Sequence, residues 1–386
     1  MKKILLIAAF AAISVVIFKI YEMRGVLPAI LPKKELPKSQ AIKNDLGLSL
    51  APGFSIDVFA GDLGNVRDLE FSPEGTLIVS IPSKGKILAL PDRDGDGKPD
   101  NIKEIISNLN NPHGLAFYNG KLYIAEETKV TMYNWNRENL SATFEKQLFS
   151  LPKGGQHTSR SLAFDNSGRL FVTIGSTCNV CYEKDPYLAA VITSDQDGAN
   201  PKLFAKGLRN SVFITINPKT QELWGTEMGR DFLGDNLPPD EINILKDNKD
   251  YGWPICYGDK IHDTQFDKNQ FIRDPCEDTE ANIYNIPAHS APLGLTFINS
   301  SQFPQSWQGD LLVAYHGSWN RSTPTGYKIV KLNVDNKAIA GEEDFLSGFL
   351  SDNQAIGRPV DLAFDKEGSL YISDDKAGVV YRVWRN

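Results

Sequence analysis

The stretch Asp361–Asp374 reads DLAFDKEGSLYISD, an apolar run around a phenylalanine, a polar turn with glycine, and a second apolar run. Two strands joined by a tight turn give this pattern. It occurs five more times, at Asp68–Ser80, Gly114–Glu126, Ser161–Gly175, Val212–Glu227 and Gly294–Tyr315. The first four copies in chain order begin 46 to 51 residues apart. Because such a period is typical of β-propellers, the sequence predicts an all-β fold, a six-bladed β-propeller.

Two further strands are predicted to close the ring. Gly378–Trp384 (GVVYRVW) lies at the C-terminus and Phe54–Ala60 (FSIDVFA) lies before the first hairpin. Their pairing would protect two strand edges. Longer intervals after the fourth and fifth copies place insertions there, where loops usually carry function. The length of 386 residues allows one or two domains, and six similar hairpins favour a single propeller over residues 51–386.

The N-terminus has the pattern of an export signal. Met1–Lys3 carry two lysines, and Ile4–Phe18 is a 15-residue apolar run followed by Lys19. This run is short for a membrane span. We therefore predict that residues 1–25 are a signal sequence or an uncleaved membrane anchor and that residues 26–50 are a linker. The propeller is expected to be exported and periplasmic, either soluble or tethered.

Composition and cysteine content agree with an exported, folded protein. Hydrophobic residues make up 41% and charged residues 23% of the chain, which excludes a disordered one. The net charge of −7 disfavours a nucleic-acid partner. The four cysteines fit an oxidising compartment and allow three pairings. The local pairing, Cys178–Cys181 and Cys256–Cys276, is favoured, and a zinc site made of all four is the alternative.

Basic residues precede several hairpins at a common distance. Four residues before the aligned phenylalanines Phe71, Phe117, Phe164 and Phe213 stand Arg67, His113, Arg160 and Arg209. The last two copies have His289 and Arg358 slightly further back. Since the inner strands of a propeller start at one face, these residues predict a cationic ring at one mouth of the channel. Such a ring in an acidic protein indicates a specific anion, because guanidinium groups match carboxylates and phosphates.

Longer motifs point to a family. These are CNVCYEKDP at 178–186, GLRN at 207–210, EMGRDFLGDNLPPDEIN at 227–243, YGWP at 251–254, HGSWNR at 316–321 and GRP at 357–359. With them the chain resembles, from about Ala51 to Arg385, the quinoprotein sugar dehydrogenases of the glucose/sorbosone dehydrogenase family. The sorbosone or pyranose dehydrogenase branch is the most similar.

The resemblance implies a function. It predicts a quinoprotein oxidoreductase that holds pyrroloquinoline quinone (PQQ) and Ca²⁺ over the channel mouth and oxidises an aldose or related sugar. Hydride transfer to C5 of PQQ then requires a base for the sugar hydroxyl, and histidine suits this role. Because the chain has no CxxCH haem motif, the electron acceptor is expected to be a separate quinone or redox carrier.

The resemblance also implies roles for individual residues. The general base is His157, and Arg209 with Asn210 lies beside the quinone oxygens. The remaining PQQ-binding residues are Arg67, His316, Arg321, Lys328 and Arg358. The Ca²⁺ ligands are the carbonyl oxygens of Gly229 and Arg230 and the carboxylate of Asp240, oxygen donors of the type that Ca²⁺ prefers. The substrate space is lined by His113, His289 and Trp319.

The chain departs from the glucose dehydrogenase branch at two positions. Ser176 stands where that branch has an aspartate that orients the base, and Met228 stands where it has a glutamine. A hydroxyl orients an imidazole but stabilises its charged form less well, so either another group helps His157 or the base is weaker.

Asp92–Asp100 resembles half of an EF-hand loop but has Lys103 at the last ligand position. A second Ca²⁺ site and a plain Asp-rich turn both remain open.

Two other functions compete with sugar oxidation. A Ca²⁺-dependent propeller lactonase would share the fold and the Asp-rich loops, but it needs carboxylates and asparagines at the axis, where this chain is predicted to place Arg and His. A propeller that binds sugar or PQQ without catalysis is the other alternative, motivated by Ser176 and Met228.

Overall fold

The computed structural model describes residues 46–385, which form a six-bladed β-propeller as predicted. Two strands precede the first blade, β1 (Ser49–Leu50) and β2 (Phe54–Ala60). Among these residues no α-helix occurs, and the two short 3₁₀ turns are Pro82–Lys84 and Gln305–Trp307. Accordingly, this part of the chain contains no helix long and apolar enough to cross a membrane.

Each blade is an antiparallel sheet whose first strand lies at the channel. Blades one to three contain β3 (Leu69–Phe71), β4 (Leu77–Ile81), β5 (Lys86–Leu90), β6 (Lys103–Ile106); β7 (Leu115–Tyr118), β8 (Lys121–Glu126), β9 (Lys129–Asn136), β10 (Ser141–Ser150); and β11 (Leu162–Phe164), β12 (Arg169–Ile174), β13 (Ala190–Asp195), β14 (Lys202–Lys206). Blade four contains β15 (Ile214–Ile216), β16 (Leu223–Glu227), β17 (Asp240–Leu245) and its outer strand β21 (Tyr284–Ile286). Between β17 and β21 the chain forms β18 (Lys249–Asp250), which pairs in parallel with β14 of blade three, and a hairpin of β19 (Cys256–Tyr257) and β20 (Ile261–His262). Blades five and six contain β22 (Pro292–Phe297), β23 (Leu311–Tyr315), β24 (Lys328–Asp335), β25 (Ala338–Ser347), then a small hairpin of β26 (Leu350–Ser351) and β27 (Gln354–Ala355), then β28 (Pro359–Phe364), β29 (Leu370–Asp374) and β30 (Val379–Arg385).

The two ends of the propeller chain close the ring, as predicted. Strand β2 pairs antiparallel with β30, from Phe54 opposite Arg385 to Ala60 opposite Val380. Strand β1 pairs with β25, so Ser49 and Leu50, which end the predicted linker, extend the outer edge of blade five. The predicted signal or anchor segment, residues 1–25, and most of the predicted linker lie outside the described residues.

Hydrophobic packing occurs between blades. Each of six buried clusters draws its residues mainly from two neighbouring blades. Ile78 of blade one and Ile124 of blade two, for example, share a cluster and are both fully buried. Burying one such side chain contributes roughly 1.5–3 kcal/mol. Because a single blade cannot cover its own apolar faces, stability depends on the closed ring.

The predicted alignment was wrong in blade four. Phe71 pairs with Leu77 at the end of the inner strand of blade one, and the equivalent pair in blade four is Ile216 with Leu223. Ile216, rather than Phe213, therefore occupies the shared position. Phe213 precedes β15 and packs into the cluster between blades four and five. As a result Arg209 lies three residues further from its strand than the alignment implied.

Carboxyl groups link the inner strands around the channel. Asp361 accepts a hydrogen bond from the backbone N–H of Leu69 at 2.8 Å, and Glu70 accepts one from that of Phe117 at 3.2 Å. Both carboxyls lie in a channel cavity of about 610 Å³. Their enclosure raises the pKa of Glu70 to about 8 and that of Asp361 to about 7. Near pH 7 Glu70 therefore connects its two blades mostly as a neutral acid, and Asp361 connects its two blades as a mixture of the neutral and the ionised form.

Both disulfides have the predicted local pairing. Cys178–Cys181 closes a loop after β12, and Cys256–Cys276 closes part of the insertion between β17 and β21. The alternative of one zinc site made of four cysteines is therefore wrong, because the two pairs are separate covalent bridges.

Candidate active site

A cavity of about 350 Å³ lies at the face where the inner strands of blades three to five begin. Loops before these strands and loops after the second strands form its wall. The predicted site residues that line it are His157, Arg209, Asn210, Gly229, Asp240, His289 and Trp319. The structure thus brings together the predicted base, two predicted metal ligands and part of the predicted cationic ring.

The contacts of His157 determine which ring nitrogen is free. Its Nδ1 lies 3.0 Å from the carbonyl oxygen of Ser176 and 2.9 Å from the hydroxyl oxygen of the same residue. That hydroxyl donates to the carbonyl oxygen of Cys178 at 2.6 Å, so it accepts from the imidazole. Since Nδ1 faces two acceptors it carries the proton, and Nε2 retains its lone pair.

The imidazole of His157 is held neutral. Burial, and secondly the positive charge of Arg209, lower its pKa to about 3. No carboxylate contacts the ring in the described part of the chain, which agrees with the second of the two alternatives drawn from Ser176, a weaker base. His157 is thus in the protonation state that a general base requires throughout the neutral range, although its intrinsic basicity is low.

The guanidinium of Arg209 is fixed by several acceptors. Its Nε donates to the carbonyl oxygen of Asn179 at 2.9 Å, and Nη2 donates to the side-chain oxygens of Asn179 and Asp231 at 2.9 and 3.0 Å. A third nitrogen, Nη1, donates to the carbonyl oxygen of Gly229 at 3.0 Å. Burial lowers the pKa of Arg209, yet Asp231 favours its charged form. The result is a rigid cation at the cavity wall.

Among the predicted metal ligands, the carboxyl group of Asp240 is buried and accepts two backbone hydrogen bonds. One oxygen of Asp240 accepts the backbone N–H of Gly229 and the other accepts that of Ala291, both at 2.9 Å. Burial raises the pKa of Asp240 to about 7. A Cβ at Gly229 would meet Pro238 and the carbonyl oxygen of Pro239 at 2.7 Å, so only glycine fits there. The oxygens suit Ca²⁺ chemically, because carbonyl and carboxylate oxygens each have a second lone pair.

The side chain of Arg230 points away from this group. It forms an ion pair with Asp263 of the blade-four insertion at 2.6 Å. Only its backbone carbonyl therefore remains as a candidate ligand, which is the role that the resemblance assigns to it.

Four predicted residues gather around Asp375 instead of lining the cavity. Asp375 lies 2.8 Å from Arg67 and 2.9 Å from His316. Burial opposes its ionisation, but His316 and the guanidiniums of Arg67 and Arg358 hold the pKa of Asp375 well below its usual range. His113 accepts a hydrogen bond from Arg67 at 3.4 Å, and it is almost fully buried.

The histidines of this cluster are neutral. Burial lowers the pKa of His316 to about 4, with the charge of Arg358 as the second cause. Burial also places the pKa of His113 well below its ordinary value. Arg358 donates to the carbonyl oxygens of His316 and Gly317, so its charge is met by carbonyl dipoles. Arg160 is likewise buried, with hydrogen bonds to the carbonyl oxygens of His157 and Ser159.

Arg321 and Lys328 are not brought to the cavity. Arg321 donates to the carbonyl oxygen of Ala288 at 2.9 Å and to the side chain of Asn236 at 3.0 Å. Lys328 lies between Glu342 and Asp344, at 3.3 and 2.6 Å. The positive charge of Lys328 is thus neutralised within blade five. Cofactor binding by Arg321 and Lys328 stays a prediction.

Aromatic side chains form one rim of the cavity. The rings of Phe232 and Trp319 meet edge to face with centroids 5.8 Å apart, although 66% and 40% of these residues are exposed. Next to Trp319, the side-chain oxygen of Asn320 is buried without a hydrogen-bond partner. An unsatisfied acceptor beside exposed rings is a feature expected of a ligand site.

Sequence reasoning missed several residues of this wall, namely Asn179, Asp231, Phe232 and Asn320. Two signals were present in the motifs. Asn179 lies inside the Cys178–Cys181 segment, and Asp231 directly follows the predicted ligands Gly229 and Arg230. Asp375 had no such signal, because it follows a strand end in the last blade.

For the Asp-rich loop at Asp92–Asp100, both a second Ca²⁺ site and a plain turn stay predictions. Oxygens of Asp92, Asp94 and Asp96 lie within 4.8 Å of one another. Asp92, however, already accepts the backbone N–H groups of Gly95 and Gly97, as in an ordinary Asx turn.

Comparison with known families decides the relationship. The family model described as TrAA12-like matches residues 48–386. The chain belongs to the TrAA12-like family. A protein of Borreliella burgdorferi is 32% identical over 361 residues, covering 87% of this chain and 90% of that protein. The PQQ-dependent pyranose dehydrogenase of Coprinopsis cinerea is 24% identical over 410 residues, covering 88% of this chain but only 54% of that enzyme.

Two solved structures share the fold of this chain. The family AA12 protein of Trichoderma reesei superposes with a TM-score of 0.76 at 21% identity, covering 91% of this chain and all of that one. The PQQ domain of the Coprinopsis cinerea pyranose dehydrogenase, in its holo form, has a TM-score of 0.75 at 20% identity, covering 90% and 98%. Together with the family match, these relatives confirm the resemblance to the quinoprotein sugar dehydrogenases.

Proposed function

We propose that this chain is a PQQ-dependent dehydrogenase that oxidises an aldose or related sugar, with His157 as general base and Ca²⁺ at the quinone. The names of its relatives support PQQ and sugar oxidation. The observation that carries the proposal is the neutral imidazole of His157 with a free Nε2, in the same cavity as the cation Arg209.

The residues present fit PQQ, a flat tricarboxylate. A cavity of about 350 Å³ is within the range of small-molecule sites. Arg209 supplies positive charge inside it, and the buried oxygen of Asn320 lacks a partner. Arg209 and Asn210 would hold the quinone side, while Arg67, His316 and Arg358 lie at the same mouth as candidates for the carboxylates. When bound, PQQ would supply the hydride acceptor.

The residues of the chain have separate tasks in this proposal. His157 removes the proton of the sugar hydroxyl through Nε2, because Nδ1 is committed to Ser176. Arg209 would bind a negatively charged group in the same cavity as the base, in an orientation that its hydrogen bonds to Asn179 and Asp231 fix. Trp319 offers an aromatic face to a sugar ring. Asp240, with the carbonyls of Gly229 and Arg230, would hold Ca²⁺.

Two of the proposed Ca²⁺ ligands are already occupied in part, Asp240 by a proton and the Gly229 carbonyl by a hydrogen bond. The carboxyl of Asp240 has its pKa raised to about 7, so a cation must displace its proton. The guanidinium of Arg209 already uses one lone pair of the Gly229 carbonyl. Binding of Ca²⁺ is therefore expected to release protons and to shift Arg209 slightly.

We further propose export to the periplasm, with the N-terminal segment as signal or tether, and an external quinone or redox carrier as electron acceptor. These statements rest on the apolar N-terminal run and on the missing haem motif.

A propeller lactonase is the second candidate. The oxygens of Asp231, Asp240 and Asn210 around the cavity favour it, because such enzymes bind Ca²⁺ with carboxylates and asparagines. The side chains of Arg209 and His157 in the cavity wall argue against it, since a lactonase of this kind needs carboxylates and asparagines there.

Titration of the apoprotein with PQQ, with and without Ca²⁺, tests the proposal. We expect saturable binding and reduction of a dye by members of an aldose panel only when PQQ is present. Lactone hydrolysis without any quinone would replace the proposal by the second candidate. Binding of PQQ with no turnover of any sugar would identify a propeller that binds the cofactor without catalysis.

A further inference from the structure

The base and the cation of the proposed site are held by one short loop. We propose that Asn179, inside the loop closed by the Cys178–Cys181 disulfide, is a positioning residue for Arg209, and that the same loop fixes His157 through Ser176. This inference rests on the proposed function only for the roles of His157 as base and Arg209 as cofactor-binding cation. The hydrogen bonds from which it is argued do not depend on that function.

Asn179 matches the guanidinium of Arg209 at two points. Its carbonyl oxygen accepts from Nε and its side-chain oxygen accepts from Nη2, both at 2.9 Å. Two acceptors facing one guanidinium edge fix both the position and the plane of the group. The carboxylate of Asp231 accepts one further hydrogen bond from Arg209. Asn179 thus supplies two uncharged acceptors and Asp231 supplies the charged one.

The side chain of Asn179 is itself held on both of its polar atoms. Its oxygen accepts the backbone N–H of Asp231 at 2.7 Å, and its nitrogen donates to the carbonyl oxygen of Asp231 at 3.2 Å. An asparagine is needed here, because an aspartate would place an acceptor against that carbonyl.

The same loop reaches His157 by a relay. The hydroxyl of Ser176 donates to the carbonyl oxygen of Cys178 and accepts from Nδ1 of His157. Cys178 and Asn179 both lie within the ring closed by the disulfide. Opening that ring would restore conformational freedom to these two residues, and the geometry of the base and the cation would loosen together.

Two changes test the positioning role, Asn179→Ala and the double change Cys178→Ala/Cys181→Ala. The matched control is Cys256→Ala/Cys276→Ala, which removes the other disulfide, and Asn200→Ala is the control for an exposed asparagine. The first readout needs no cofactor. It is the rate at which phenylglyoxal modifies Arg209, followed by mass spectrometry of its peptide. The second readout is the Kd for PQQ from fluorescence quenching.

Both loop variants are expected to raise the reactivity of Arg209 at least about tenfold and to weaken PQQ binding by a similar factor, because bonds to a charged group are lost. Both controls should stay within about twofold. The Tm of Asn179→Ala should fall by a few degrees, because hydrogen bonds are lost. A purely structural role would lower the Tm without raising the reactivity of Arg209 in the folded protein.

The outcomes separate this inference from the proposed function. If Asn179→Ala leaves both the reactivity of Arg209 and the Kd unchanged, the positioning role is refuted, whatever the enzyme does. If the parent protein binds no PQQ, the proposed function fails, and the reactivity of Arg209 still decides the role of Asn179. If the double cysteine variant does not fold, Asn179→Ala decides alone, because it keeps the disulfide.

Discussion

Ser176 holds His157 with two acceptors at one nitrogen, its carbonyl oxygen at 3.0 Å and its hydroxyl oxygen at 2.9 Å from Nδ1. The backbone carbonyl alone is enough to keep the proton on Nδ1, because a carbonyl only accepts. The tautomer of the base is therefore encoded by backbone geometry and reinforced by a side chain.

Two substitutions at this pair should differ in severity. His157→Ala is expected to lower kcat about 10²–10⁴-fold, the usual contribution of a general base. Ser176→Ala keeps the carbonyl acceptor, so kcat should fall less than about tenfold, in line with the loss of one neutral hydrogen bond. Steady-state assays of both variants with saturating PQQ measure this difference. Equal losses would mean that the hydroxyl, rather than the carbonyl, sets the tautomer.

The low pKa of His157 predicts a wide plateau in the pH profile. Its pKa of about 3 leaves the ring neutral at all pH values above about 4, so no acid limb from this group is expected between pH 5 and 8. Arg209 is one cause of this shift, so Arg209→Gln should raise the pKa of His157 toward its ordinary value of 6.5. Burial, the larger cause, remains, and the rise is therefore partial.

Titration of the ring nitrogens by NMR in the cofactor-free protein measures this pKa directly. Arg273→Gln is the control, because Arg273 is an exposed residue of the blade-four insertion that pairs with Glu277 and Asp278. A ring that titrates near pH 6.5 in the parent protein would contradict the buried, neutral base.

Carboxyls in the channel predict a loss of stability as the pH rises from about 6.5 to 8. The pKa of Glu70 is raised to about 8 from its ordinary value of 4.5, so the folded state binds a proton that the unfolded state releases. Stability from this group is therefore lost progressively as the pH rises toward 8. His157 and His316, with lowered pKa values, act in the opposite direction, but only below about pH 6.5. The net decline should appear between pH 6.5 and 8.

Glu70→Gln should remove part of this decline, because the amide oxygen still accepts the N–H of Phe117 and nothing ionises. Differential scanning calorimetry from pH 6 to 8.5 measures it, with the exposed residue change Glu367→Gln as control. If the slope of Tm against pH is the same in Glu70→Gln and in the parent, the carboxyl is ionised in the folded protein and its raised pKa is refuted.

The fold was predictable because its signal is local, and the site was predictable only in part. Each blade carries its own hairpin pattern, and the six copies determine the ring. The register of Phe213 failed because the fourth hairpin places Ile216 at the shared position. The ion-pair partners of the basic residues could not be predicted from the sequence. Arg67, for example, pairs with Asp375, which lies 308 residues away along the chain. Lys328 was predicted from its motif, yet Glu342 and Asp344 of the adjacent strand neutralise it.

The exposed pair of Phe232 and Trp319 should contribute to substrate binding more than to stability. Phe232 has a left-handed backbone, with φ of 72°, which is unfavourable for a bulky residue, and its ring is mostly exposed. Strain of this kind persists at functional sites, where a side chain must be held in place.

Trp319→Ala should therefore raise KM for the sugar about tenfold with a smaller change in kcat, because a lost stacking face weakens binding in ground and transition states alike. Phe271→Ala, which removes an exposed aromatic ring packed on His262 in the insertion, is the matched control and should leave KM unchanged. A fall in kcat at constant KM in Trp319→Ala would instead assign the ring to alignment of the reacting groups, and an unchanged KM and kcat would remove the rim from the substrate site.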